Sequence, residues 1–98
     1  MKIPKKVKIG AHIYKIDFDS DPTNDDDSCF GCVSNRKLKI GIDSTVSLTQ
    51  QEETFFHEVL HAIVYLNGIS EGKDDDEKKV QAIAHSFYLF LKENNLLK

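Results

Sequence analysis

The stretch 54–62 reads Thr54-Phe55-Phe56-His57-Glu58-Val59-Leu60-His61-Ala62 and lies within an apolar run that continues to Leu66. Its apolar residues recur at helical spacing. On a helix His57 and His61 stand one turn apart, about 6 Å along the axis and on one face. At that reach two imidazoles can grip one metal ion. Glu58, one residue on, can hydrogen-bond a metal-bound water without being a ligand itself. Around the helix, Phe55, Phe56, Val59, Leu60, Ala62, Ile63, Val64 and Leu66 fill one broad arc. The narrower polar strip holds Gln50, Gln51, Thr54, His57, Glu58, His61 and Tyr65. A helix that is otherwise buried has little reason to collect two histidines and a glutamate on one strip unless they form a site.

The flanking residues delimit this helix. Thr49 with Glu52 three residues later reads as a capping box, so the helix is predicted over 50–66 and stops at Asn67-Gly68. Asp74, Asp75 and Asp76 then supply an N-cap and favourable charge for a second helix, predicted to run to about Asn94. Upstream, residues 5–18 alternate and read as a hairpin turning near Gly10-Ala11-His12. His12 is expected to be a solvated turn residue rather than a ligand. Residues 29–34 and 37–42 read as two more strands joined at Asn35-Arg36, with Leu38, Ile40 and Ile42 facing inward and Lys37 and Lys39 in solvent. Lysines of this kind also mark an exposed edge, which could receive an extended peptide by strand addition. The expected fold is α+β: a short antiparallel sheet of about four strands packed on two helices, in one domain over 1–98.

Composition bounds the function. The chain has 98 residues, is 40% hydrophobic and carries a formal charge of −3. No nucleic acid or acidic membrane is expected as a partner on that charge. No apolar run approaches the length of about 18 residues that spans a bilayer. The basic start, Met1-Lys2-Ile3-Pro4-Lys5-Lys6, is not followed by an apolar segment and does not read as a signal peptide, so the expected location is cytoplasmic. Between the hairpin and the third strand, residues 19–28 form an acidic loop. It lacks the glycine and closing glutamate of a calcium loop. Cys29 and Cys32 form a lone C-x-x-C with no second pair for a structural zinc and no βαβ context for redox chemistry; they read as ordinary strand or turn residues.

Two histidines need a third protein ligand to hold a catalytic zinc. The downstream candidates are Asp74, Asp75, Asp76, Glu77 and His85. On the second helix Val80, Ile83, Ala84, Phe87, Phe90 and Leu91 form the apolar arc. Glu77 lies at its border in the first turn, where it can reach a neighbouring helix, so it is favoured. Asp76 and His85 stay open as alternatives.

His57-Glu58-x-x-His61 followed by a glutamate on the next helix resembles the zincin metallopeptidases of the gluzincin branch. The wider pattern, from Lys8-Ile9-Gly10 and Tyr14 through Gly31, 38–43 and 54–62 to Glu77-x-x-Val80 and Lys92-Glu93-Asn94, is similar to small metallopeptidase-type proteins encoded by phages and prophages. The resemblance implies a minimal zincin, with the sheet against the motif helix and the glutamate helix following. It implies Zn2+ bound by His57, His61 and Glu77, with Glu58 as general base in hydrolysis of a peptide or protein substrate. Two departures stand out. The chain is too short for the second subdomain that walls the cleft of larger gluzincins. No motif identifies the group that stabilises the oxyanion; Tyr65, Tyr88 and His85 are the candidates. The expected function is a zinc metallopeptidase. The alternative is a zinc-binding interaction domain without catalysis.

Overall fold

The computed structural model describes residues 1–19 and 30–97. The expected acidic loop, apart from Asp19, and Cys29 lie outside the described residues. Four strands, β1 (Lys6–Ile9), β2 (His12–Asp19), β3 (Gly31–Ser34) and β4 (Lys39–Asp43), precede two helices, α1 (Leu48–Leu66) and α2 (Lys73–Glu93). The fold is α+β, with the sheet packed on the helical layer.

β1 and β2 form the expected hairpin, with Ile9 opposite His12 across a two-residue turn. Gly10 takes φ +61° at the first turn position, a left-handed conformation that a side chain would strain. The sheet order is β1-β2-β4-β3, and here the wholly antiparallel expectation is corrected. β4 lies parallel to β2, pairing Ile16 with Ile40 and Phe18 with Ile42. Burial accounts for the order. Ile40 and Ile42 are completely buried, so their strand takes an interior place, whereas the short β3, with Cys32 exposed, stays at the edge. The lysines of β4 therefore do not mark an edge. Lys39 Nζ pairs with Asp17 Oδ2 at 3.0 Å on the open face of the sheet. The edge strand beside α1 is β3. Leu38 sits in the β3–β4 turn at φ +55° rather than in β4, and its carbonyl accepts from Lys15 N–H at 3.0 Å.

Ile9, Tyr14, Ile16, Ile40 and Ile42 from the sheet pack against Phe55 and Ala62 of α1 to make the core. The Tyr14 hydroxyl donates to Asn35 Oδ1 at 2.9 Å, so its polar end is satisfied inside that apolar layer. α1 starts two residues earlier than Thr49 implied. Ser47 is the cap, and its Oγ accepts from Gln50 N–H at 3.2 Å. The helix ends in a Schellman motif: Gly68, at φ +67°, donates its N–H to Tyr65 O and Ile69 donates to Val64 O. α2 is capped by Gly72, and the three aspartates lie inside its first turn, not at the cap. They still oppose the partial positive charge of the exposed N–H groups there. Asn95, at φ +56°, closes α2 with a second Schellman motif through Leu96 N–H to Leu91 O at 2.8 Å.

α2 lays Val80, Ala84 and Tyr88 against α1, and among the described residues it approaches no strand closely. α1 is thus covered on two sides, by the sheet and by α2. The middle of its polar strip is withdrawn from bulk solvent: Thr54 and Glu58 are buried. No helix among the described residues is long and apolar enough to cross a membrane.

Candidate metal centre

Phe55 and Ala62 fasten α1 to the sheet and so fix the position of the turn between them. That turn carries His57 and His61, whose ring centroids are 4.9 Å apart. Glu77, from the first turn of α2, reaches across to both. Its Oε1 lies 2.7 Å from His57 Nε2, and its Oε2 lies 2.7 Å from His61 Nε2. One donor atom from each of the three residues falls within 4.8 Å of the others. A tetrahedral zinc, with donors at about 2.0–2.2 Å, needs them about 3.3–3.5 Å apart. Side-chain torsions alone can make that adjustment. Two imidazole nitrogens and one carboxylate form a donor set that suits zinc, and the residues fit the ion. Burial pushes the His57 imidazole below its ordinary value, against the opposing pull of Glu77. The neutral ring that results is the form that ligates a metal.

Glu58 lies between the histidines and β3. It is 7% exposed, and its Oε2 lies 4.0 Å from His57 Nε2. Gly31 makes this placement possible. A Cβ there would stand 2.5 Å from Thr54 Cγ2, 2.8 Å from the Gly41 carbonyl oxygen and 3.4 Å from Glu58 Cγ. Only a residue without a side chain lets α1 come so near the edge strand.

Burial, and secondarily the charge of Glu77, pushes the Glu58 carboxyl from 4.5 up to about 8. The folded protein holds this proton more tightly than the unfolded chain does. Its contribution to stability is therefore full below pH 4.5 and is lost as pH rises to about 8. In chelator-treated protein we expect Glu58 to remove about 2–4 kcal/mol of stability between about pH 5 and 8. His57, with its lowered value, slopes the opposite way. The measurement is accordingly the difference between wild type and Glu58→Gln in urea unfolding across that range. A parallel pair of curves would contradict the shift.

The other candidates separate clearly. Asp76 accepts from Ser70 Oγ at 2.5 Å and from Glu71 N–H at 2.8 Å, which ties down the loop before α2 and takes it away from the histidines. Asp74 and Asp75 are exposed in the first turn and do not join the ligand group. His12 begins β2 and is exposed. His85 Nδ1 pairs with Glu53 Oε1 instead of completing the ligand set. Of the three oxyanion candidates, Tyr88 is buried, donating to Glu52 Oε1 at 3.1 Å and accepting from Lys92 Nζ at 3.2 Å. Tyr65 is exposed and does not line the groove beside the metal ligands. His85 does line it, together with Gly31, Glu53, Glu58 and Gln81, in a space of about 510 Å³.

No family model, curated protein or solved structure matches the chain. The site is therefore read on its own geometry. Sequence reasoning gave Gly31 and Thr54 no structural role at the site and passed over Glu53. Glu53 stands one turn before His57, a helical spacing that could have marked it. Gly31 carried no comparable signal, because its role depends on which strand faces α1.

Proposed function

We propose that this protein is a zinc-dependent metallopeptidase, in keeping with its resemblance to small phage-type zincins, and that it acts in the cytoplasm. The observation that carries the reading is the convergence of His57, His61 and Glu77 on one point, with the buried carboxyl of Glu58 beside it. His57 Nε2, His61 Nε2 and the Glu77 carboxylate would hold the ion. A bound zinc supplies Lewis acidity, which lowers the pKa of water toward ~7 and polarises a carbonyl. Glu58 takes a proton from the attacking water at its carboxylate oxygen and passes it to the departing amine nitrogen. In its deprotonated form this buried carboxyl is a stronger base than an ordinary glutamate, which suits it to take the water's proton and hold it for the departing amine. His85, held by Glu53 in the same groove, is the candidate donor to the developing oxyanion. Among the described residues no strand covers the outer edge of β3, and an extended peptide would add its backbone to the sheet there, beside Glu58.

Metal content tests the reading. Purified wild type is expected to carry one zinc per chain by mass spectrometry. Glu77→Ala is expected to weaken binding by more than about 100-fold, since even outer-shell changes cost 10–100-fold. Wild type that takes up no zinc when it is supplied would refute the proposal. The alternative, a zinc-binding interaction domain, draws support from the half-exposed side chain of Glu77, which leaves the site open to water on one side. Stoichiometric zinc with no turnover on a peptide library would select it.

A further inference from the structure

α2 has a second apolar strip that the described residues leave about half exposed. Ile83, Phe87 and Phe90, at spacing i, i+4, i+7, are 58%, 52% and 53% exposed. Phe87 and Phe90 stack with centroids 6.3 Å apart, and Phe87 meets the partly buried Phe56 of α1 edge-on at 6.4 Å. The strip is therefore ordered and continuous. It lies on the side of α2 opposite Gln81 and His85, away from the metal groove. Half of three large side chains amounts to about 300 Å² of apolar surface, enough to form the centre of an interface.

We propose that a second copy of this chain covers the strip, its α2 lying antiparallel to the first across a twofold axis near Phe87. The pattern is complementary to itself in that orientation. A twofold axis through the middle of the strip sets Ile83 of one copy against Phe90 of the other and brings the two Phe87 rings together. Charge complementarity favours the same register. Lys79 and Glu93 lie on one flank of the strip, at nearly equal distances from its centre in sequence and of opposite sign. Antiparallel pairing brings Lys79 of each copy to Glu93 of the other, twice by symmetry. Among the described residues Lys79 pairs with the exposed Glu71, at 2.6 Å, an ion pair too weakly held to compete strongly. Ser86 on the same flank is small and permits close approach of the helices. Two 21-residue helices crossing over about 30 Å add polar rims to the apolar centre, toward the ~800 Å² per partner of a stable dimer. Both metal grooves stay open on the outside.

Sedimentation equilibrium tests this directly and does not depend on zinc or on any activity. Wild type is expected to be dimeric at concentrations of about 100 μM, with dissociation on dilution. Phe87→Glu and Phe90→Glu, at half-exposed positions, are expected to be monomeric with unchanged helical circular dichroism. Lys79→Glu should weaken the dimer about tenfold, and Lys79→Glu with Glu93→Lys should restore it. A wild type that is monomeric throughout would overturn the proposal and leave the strip to a partner of different sequence. A dimer unaffected by Phe87→Glu, or not restored by the charge exchange, would overturn it as well.

Discussion

Glu58→Gln is expected to keep zinc and to lower peptide hydrolysis about 10²–10⁴-fold, the range of general acid–base catalysis. Glutamine has almost the same shape and fills the same space against Gly31 and Thr54. It cannot accept a proton from water at neutral pH. Removal of the carboxylate also removes a raised-pKa group from an apolar position, so the variant should fold at least as well as wild type near pH 8. Loss of turnover then cannot be attributed to unfolding. Paired assays of zinc content and hydrolysis separate the possibilities. A glutamine variant that still cleaves at the wild-type rate would remove Glu58 from the mechanism. A variant that loses zinc as well would mean that Glu58 helps to hold the ion.

Gly31→Val is expected to be the most damaging single substitution for stability, by about 3 kcal/mol or more, a large part of the 5–15 kcal/mol that holds a small domain together. A Cβ at this position would approach the Gly41 carbonyl oxygen to 2.8 Å, and that atom belongs to the β3–β4 ladder. It cannot retreat without breaking the sheet. On the other side the same carbon meets Thr54 at 2.5 Å, so α1 would have to lift and carry Glu58 with it. Gly68→Ala is the matching control. Gly68 has positive φ but no atom within 4 Å of its Cβ position, so only the conformational cost of about 1–2 kcal/mol applies. Urea midpoints for the two variants should differ in that order. Equal midpoints would mean that the close approach of helix and strand is not a constraint.

Legibility in the sequence follows the range of the interactions. His57 and His61 share a face by helical spacing alone, and Glu77 could be placed at the rim of α2 by the same rule; their meeting in space agrees with that local geometry. The hairpin at Gly10 was legible for the same reason, since it is closed by adjacent residues. Strand order was not. Alternation in β3 and β4 is the same whichever of the two lies beside β2, and only the complete burial of Ile40 and Ile42 decides it. The cap of α1 was misplaced at Thr49, because the Thr49–Glu52 spacing fits a capping box as well as the Ser47–Gln50 pair that forms. The pairing of Glu53 with His85 spans 32 residues and exists only because α1 and α2 pack together. Asp76 looked like a cap and is instead a tether for the preceding loop. Strand order and the Glu53–His85 pair are contacts between elements, which residue spacing does not encode, whereas the cap of α1 and the Asp76 tether are local choices among similar neighbouring side chains.

The dependence of α2 on α1 alone has a thermodynamic meaning. His57 and His61 belong to a helix anchored in the main core, whereas Glu77 belongs to one that can detach without disturbing a strand. The ligand set is thus divided between a part of the molecule that opens only on global unfolding and a part with its own, smaller opening free energy. An ion that requires all three ligands binds the closed arrangement only. By mass action each tenfold rise of the free ion above its dissociation constant then adds about 1.4 kcal/mol against detachment of α2. On the proposed reading, the carboxylate that would complete the coordination sphere would also be the latch of the second helix.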